Sequence, residues 1–233
     1  MSDERNALTA NGAAERTVTV AEAERFYDRV GEGLDRFARF EERAKIDLAE
    51  HGRFDGAKSV VEFGCGTGAL AERLLDRRLS SEARYLGIDV SATMVEATRK
   101  RLARFGGRVE VRKTDGVMRL DVGDASFDRF VSTYVMDLLS REDATAIVGE
   151  ARRVLAADGL LCLASLTRGE TRLSRVVSGL WSRIQRLAPA RVGGCRPIRV
   201  VSLLPSDRWH IEYRRVLTMF GVPAEVVVAR RLA

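Results

Sequence analysis

Residues 60–75 read VVEFGCGTGALAERLL: an apolar run, three glycines at alternate positions, then a helical pattern. Gly64, Gly66 and Gly68 let the backbone turn sharply and approach a ligand closely, where a helix N-terminus begins. Such a loop cradles a nucleotide-like ligand. Taken literally, Gly64-Cys65-Gly66-Thr67-Gly68-Ala69 satisfies the dinucleotide pattern G-x-G-x-x-G/A, and Asp89 follows Gly68 by 21 residues, where an acid could hold ribose hydroxyls. The glycines alone leave the ligand open.

Glu62 breaks the tie. It stands two residues before the first glycine, at the carboxyl end of the apolar run. Beside a pyrophosphate its carboxylate would face like charge across a short distance, which is costly in a partly desolvated cleft. Beside an ammonium and a sulfonium it would attract. S-adenosylmethionine (SAM) carries both cations and no phosphate, so acid plus G-x-G-x-G points to SAM and away from NAD.

The elements that must position these residues follow from periodicity. Ala21 to about Glu50 is helical, with Phe26, Val30, Leu34, Phe37 and Phe40 at three- and four-residue steps and a break at Gly31 and Gly33. Strands are expected at 58–63, 84–89, 108–114, 127–135 and 159–167. Between them lie helices: one from about Gly68 to Arg78, and one capped by Ser91 that presents Met94, Val95, Thr98 and Leu102 and closes at Gly106-Gly107. A third, with Ser140 and Asp143 at capping-box spacing, presents Ala144, Ile147, Val148, Ala151, Val154 and Leu155. Strands alternating with helices predict an α/β, Rossmann-like, doubly wound and mostly parallel sheet. Residues 208–220 and 224–232, joined by the turn Gly221-Val222-Pro223, add an antiparallel C-terminal hairpin and bring the sheet to seven strands.

VVEFGCGTGALAERLL resembles motif I of the class I SAM-dependent methyltransferases, and LGIDVSATMVEATRKRL resembles the motif that follows it. The resemblance spans about residues 24–167, the hairpin is similar to that family's reversed final strands, and the nearest subgroup is the small-molecule enzymes resembling ubiquinone/menaquinone-biosynthesis methyltransferases. It implies that Gly64, Cys65, Gly66, Thr67 and Gly68 pack on the methionine part of SAM, with Glu62 on its amino group. It further implies Asp89 on the ribose hydroxyls, Val90 and Met94 against the adenine, and Thr114, Asp115 and Gly116 around the adenine amino group. Ser132, Thr133 and Tyr134 fall on the strand-four motif near the transferred methyl, and Tyr27 matches an aromatic that caps the cofactor.

Methyl transfer needs alignment of nucleophile, methyl and sulfur and exclusion of water, with a general base only if the acceptor must lose a proton. Tyr134 and Asp137 are the candidate catalytic residues; His51 and His210 fall away from the expected methyl position. Prolines stand at 189, 197, 205 and 223, so the Asn/Asp-Pro-Pro-aromatic motif of nucleic-acid amino-methyltransferases is absent, as is a Pro-Cys pair for cytosine chemistry. No nucleic-acid partner is expected. The expected product pair is S-adenosylhomocysteine (SAH) and a methylated small, apolar or lipid-like acceptor. A SAM-binding protein without catalysis is the alternative from another class.

Residues 168–199 are the expected source of acceptor specificity within a single domain, 21–233, after a loose tail, 1–20. Over 170–190, Leu173, Val176, Val177, Leu180, Ile184 and Leu187 share a face flanked by Trp181, while Arg172, Arg175, Arg183 and Arg186 lie opposite. This helix reads either as a lid or as a basic amphipathic helix on an anionic membrane, which would suit a phospholipid or quinone acceptor. Residues 193–204 read as a loop and a short helix.

The 233 residues carry 45% hydrophobic and 31% charged residues and a net charge of +6, nearly all of the positive charge being arginine. That is a globular balance, and the excess reflects either codon bias or an anionic partner. Cys65, Cys162 and Cys195 are odd in number and have no metal-ligand spacing, so reduced thiols and no metal are expected. With no apolar N-terminal run, the expected place is the cytoplasm, with peripheral contact at the inner face of the membrane as the alternative.

Overall fold

The computed structural model describes residues 19–31, 41–169 and 195–232. The expected tail, the apolar positions Leu34, Phe37 and Phe40, and the 170–190 helix lie outside the described residues. Helix α1 (Val20–Val30) opens on a capping box, in which the Thr19 hydroxyl accepts from Glu22 N and the Glu22 carboxylate accepts from Thr19 N, and closes at Gly31 with φ 52°. Helix α2 (Glu42–His51) follows.

Strands β1 (Ser59–Phe63), β2 (Arg84–Asp89), β3 (Val109–Lys113), β4 (Phe127–Thr133) and β5 (Leu155–Leu166) alternate with helices α3 (Ala69–Arg77), α4 (Ala92–Leu102) and α5 (Arg141–Val154). The sheet order is β3-β2-β1-β4-β5-β7-β6, with β6 (Trp209–Met219) and β7 (Val222–Arg231). Strands β1 to β5 pair in parallel, whereas β5–β7 and β6–β7 pair antiparallel. The seven-stranded, mostly parallel sheet with a reversed terminal hairpin is as expected.

The chain winds outward from β1 through β2 to β3, then returns to the other side of β1 to place β4 and β5. The order reverses between β1 and β4, and the carboxyl ends of strands flanking such a switch open a crevice that no crossover helix covers. Alternating side chains feed both faces of the central strands. Val60, Tyr85, Val131 and Cys162 join the core under α2 and α3, while Val61, Leu86, Phe130 and Leu161 join the one under α5.

Local chemistry sets the element ends. The Ser91 hydroxyl accepts from Met94 N at 3.1 Å, and the Ser140 hydroxyl accepts from Asp143 N at 3.0 Å. Two details differ from the sequence expectation. Strand β5 begins at Leu155, directly after α5, because Phe127 pairs with Leu155 before a register shift. The hairpin turns on Phe220 (φ 51°) and Gly221 (φ 82°), and Val222 and Pro223 already belong to β7. Two consecutive left-handed residues match the twist of the flanking strands, which a turn built on Val222 and Pro223 cannot supply. The 3₁₀ turn Val200–Leu203 is the expected short helix.

Candidate active site

The glycine loop forms the floor of the crevice. Gly64 N and Cys65 N both donate to Ile88 O, at 2.7 and 3.1 Å, tying the loop to the end of β2. At Gly64 (φ 78°) a Cβ would lie 2.2 Å from Val135 Cγ2, so this position admits no side chain. At Gly66 (φ 54°) the same atom would meet nothing within 4 Å. The backbone there faces open space rather than packed protein, which is what a close-approaching ligand requires. The Asp89 carboxylate braces the loop, accepting from Gly66 N at 2.9 Å and from Ser91 N at 2.9 Å.

A cavity of about 320 Å³ lies over this floor. The expected residues Glu62, Gly64, Cys65, Gly66, Thr67, Asp89, Val90 and Met94 line it, with Thr114 and Gly116 at the β3 end and Thr133 and Tyr134 at the β4 end. Tyr27 reaches it from α1, which lies across the opening because the Asp28 carboxylate accepts from Ser91 Oγ at 2.5 Å and from Thr93 N at 3.2 Å. The sequence analysis missed the rest of that roof: Thr19, Val20 and Ala23 line the cavity too, one helical turn apart and continuous with Tyr27. It also missed Glu41 and Lys45 at the start of α2, Val135, Leu138 and Leu139 after β4, and Cys195. The three- and four-residue spacing along α1 was the available signal for the first group; Cys195 had none.

Charge inside the cavity is negative at the strand ends. Glu62 is 1% exposed, and its Oε2 accepts from the Tyr85 hydroxyl at 2.6 Å. Burial pushes its pKa up to about 7 against the opposing effects of that hydrogen bond and of Lys45. Burial likewise raises Asp89, partly offset by the backbone N–H groups it accepts from. A cation entering here would relieve both carboxylates; a phosphate would add to the penalty. Lys45 pairs with Glu41 at 2.7 Å, and its Nζ lies 5.8 Å from the centre of the Tyr134 ring.

Four expected residues do not line the cavity. Gly68 (φ 76°) caps α3, and a Cβ there would lie 3.0 Å from Thr98 Cγ2. The Ser132 hydroxyl donates to Phe63 O at 2.9 Å inside the sheet. Asp115 is exposed, and its carboxylate accepts from Val117 N at 3.1 Å, a turn contact that directs it away from the opening. Asp137 is fully buried behind the wall, where its Oδ2 accepts from Leu166 N at 3.2 Å and its carbonyl accepts from Arg196 N at 3.0 Å. Burial pushes Asp137 up to about 7. Tyr134 holds φ 57°, uncommon for an aromatic residue, and its N donates to Ala164 O at 2.8 Å. The hydroxyls of Tyr27 and Tyr134 are both pushed well above the usual phenol range, chiefly by burial, so they are donors at neutral pH. Neither histidine lines the cavity; His51 stacks on Tyr213 with ring centres 3.7 Å apart.

Residues 60–159 match the protein family described as "Methyltransferase domain", and these residues run from β1 into β5 and include the glycine loop. Those residues, under half of the chain, carry the signature of a methyltransferase domain. Among curated relatives, the trans-aconitate 2-methyltransferase of Azoarcus sp. (strain BH72) is 29% identical over 180 residues, covering 76% of this chain and 63% of that protein. The malonyl-[acyl-carrier protein] O-methyltransferase of Geobacter sulfurreducens is 39% identical over 105 residues, covering 45% of this chain and 37% of that one. The chain therefore spans less than two thirds of the length of these relatives. The domain superposes on the N-methyltransferase NodS of Bradyrhizobium japonicum WM9 in complex with SAH with a TM-score of 0.66 at 18% identity, over 92% of this chain and 98% of that one. It superposes on the [4+2]-cyclase SpnF with a TM-score of 0.72 at 16% identity, over 92% and 97%. A cyclase on the same methyltransferase-domain fold means that chemistry must be argued from the site. No helix among the described residues is long and apolar enough to cross a membrane.

Proposed function

We propose that this protein transfers the methyl group of SAM to a carboxylate oxygen of a small acid with an apolar body. The observation that carries the cofactor reading is Glu62: a buried carboxylate at the foot of a glycine loop, aligned for a cationic ligand. Glu62 would hold the ammonium, Asp89 the ribose hydroxyls, and Val90, Met94, Thr114 and Gly116 the adenine. Bound there, SAM supplies an electrophilic methyl on a sulfonium.

The protein's own contribution is to orient and to exclude water. Roof helix α1 and the wall Tyr134–Leu139 enclose the cavity, and Tyr27, Val135, Leu138, Leu139 and Cys195 give it apolar surface for the acceptor. Holding the reactants in line there is worth roughly 7–11 kcal/mol at best. A carboxylate oxygen attacks without first losing a proton, so it needs no general base. That fits a site whose Asp137 is walled off and whose tyrosines stay protonated. Tyr134 and Tyr27 position the acceptor, and Asp137 holds the wall through Leu166 and Arg196. The relatives whose names specify trans-aconitate and malonyl-[acyl-carrier protein] support an acidic acceptor.

The test is mass spectrometry of a metabolite and fatty-acid extract incubated with the protein and methyl-labelled SAM. A labelled product heavier by one CH₂ and cleaved by mild alkali is expected. SAH bound without any transfer would favour a non-catalytic SAM-binding protein, and an alkali-stable product would exclude the ester.

A further inference from the structure

A second cavity, of about 630 Å³, is lined in part by residues next in the chain to some that line the first. Neighbouring residues divide between the two: Cys195 and Asp143 line the first, Arg196 and Ala144 the second. Four arginines converge on the second, and no acidic residue is among the described residues that line it. They come from three places in the chain. Arg141 is the first residue of α5, Arg168 follows β5, and Arg196 and Arg199 lie on the segment returning toward β6. Backbone bonds fix that segment, Arg196 N to Asp137 O at 3.0 Å and Ile198 N to Leu166 O at 2.9 Å.

Several arginines elsewhere in the chain pair with acids, while others, such as Arg77 and Arg84, stand exposed and apart from one another. Arg104 pairs with Glu72 and Asp76, Arg112 with Glu110, Arg153 with Asp124 and Glu150, and Arg214 with Glu225. Arg141, Arg168 and Arg199 are exposed and make no ion pair among the described residues, although they share a cavity with one another and with the buried Arg196. Arg141 also stands at a helix N-terminus, where the positive end of the peptide dipoles disfavours a cation and favours an anion. Clustered like charge against that dipole is unfavourable until an anion fills the space, and planar guanidinium groups match the paired oxygens of carboxylate and phosphate.

We propose that the second cavity is a subsite for a phosphate or carboxylate group carried by the methyl acceptor, whose reacting end sits in the first cavity. The proposal rests on the acidic-acceptor reading above and adds a second anionic group, remote from the one methylated. The acceptor is then at least dianionic.

The test is calorimetric titration of the full chain, saturated with SAH, with inorganic pyrophosphate and, separately, with tricarballylate, at about 50 mM salt where screening is modest. Saturable binding of at least one probe is expected. The tighter probe identifies the source as a phosphate-bearing acceptor or a polycarboxylate. Arg141→Gln/Arg168→Gln/Arg199→Gln should weaken that binding by about tenfold or more, since each charged hydrogen bond is removed. Arg77→Gln/Arg84→Gln/Lys100→Gln removes the same charge from exposed positions elsewhere and should leave it unchanged. No saturable binding of either probe, or equal loss in both variants, overturns the subsite. SAH affinity is the independent readout: it should persist in both variants, and if the triple variant fails to fold, Arg199→Gln alone is read against wild type. Failure of SAH to bind the wild type would instead sink the cofactor reading.

Discussion

Two cavities of opposite charge are lined by neighbouring residues in this protein. The first presents buried carboxylates, Glu62 and Asp89, at the ends of adjacent parallel strands; the second presents four arginines and no acid among its described lining. The first draws its floor from residues 62–68 and 88–94, and the second gathers residues 141, 168, 196 and 199. A site made at strand ends is written in short local motifs. One made where three segments meet leaves no motif, only scattered arginines in a chain already rich in them.

If the first cavity selects a cation, the largest effect should follow its acids. Glu62→Gln or Asp89→Ala should weaken SAH binding by about a hundredfold or more, roughly 3 kcal/mol, as expected for removing one partner of a buried pair. Calorimetry would show this, with pyrophosphate binding in the second cavity retained; simultaneous loss of both would merge the two sites into one.

The wall of the first cavity should respond to pH. Asp137 titrates at about 7 in the folded protein, above the ordinary carboxylate value, so the folded state binds the proton more tightly than the unfolded chain. Its favourable contribution is complete below the unfolded pKa and is lost as pH rises through about 7. Asp137→Asn, which keeps an acceptor for Leu166 N, should therefore be more stable than wild type at pH 8 by roughly 2–3 kcal/mol, and similar near pH 4. Denaturant melts at both pH values check this; an equal difference at each would remove the buried charge as the cause.

Gly64 and Gly66 sharpen the first cavity itself. Gly64→Ala should cost about 2 kcal/mol of stability, from overlap with Val135 and a left-handed backbone. Gly66→Ala has room for its methyl and carries only the left-handed backbone cost of roughly 1 kcal/mol, so it should lose less stability than Gly64→Ala and more SAH affinity. The reverse ranking would mean that Gly66 does not face the ligand.

A smaller effect separates the acids from the arginines. Glu62 titrates at about 7, and an ammonium ligand needs it ionised, so SAH affinity should rise about tenfold from pH 6 to pH 8. Glu62→Gln should abolish that slope, while the arginine variants, whose charge does not change in this range, should keep it.

Much of the fold was legible because the parallel strands are short apolar runs, or in β3 an alternating one, bounded by polar or glycine residues. The doubly wound, mostly parallel sheet then followed from alternation, whereas the strand order and the switch point came from the structure. Of the cavity lining, Glu62, Gly64, Gly66, Asp89 and Met94 were readable because strand, loop and helix are consecutive. Asp115, Ser132 and Asp137 were read from the same kind of local position, and the structure puts them elsewhere. A turn N–H captures Asp115, a strand-end carbonyl captures the Ser132 hydroxyl, and the N–H of Leu166 captures Asp137. Which partner a polar side chain finds depends on segments that pack beside it, and sequence spacing does not specify those.

By itself the sequence determined the sheet, its reversed hairpin, the glycine loop and the acid that prefers a cation, because these depend on periodicity, backbone freedom and the sign of one charge. The tertiary structure alone decided that α1 roofs the cleft, that Cys195 joins its wall, that Asp137 stands behind it, and that four distant arginines face one cavity. Those outcomes are contacts between elements far apart in the chain, and their geometry exists only once the layers have packed.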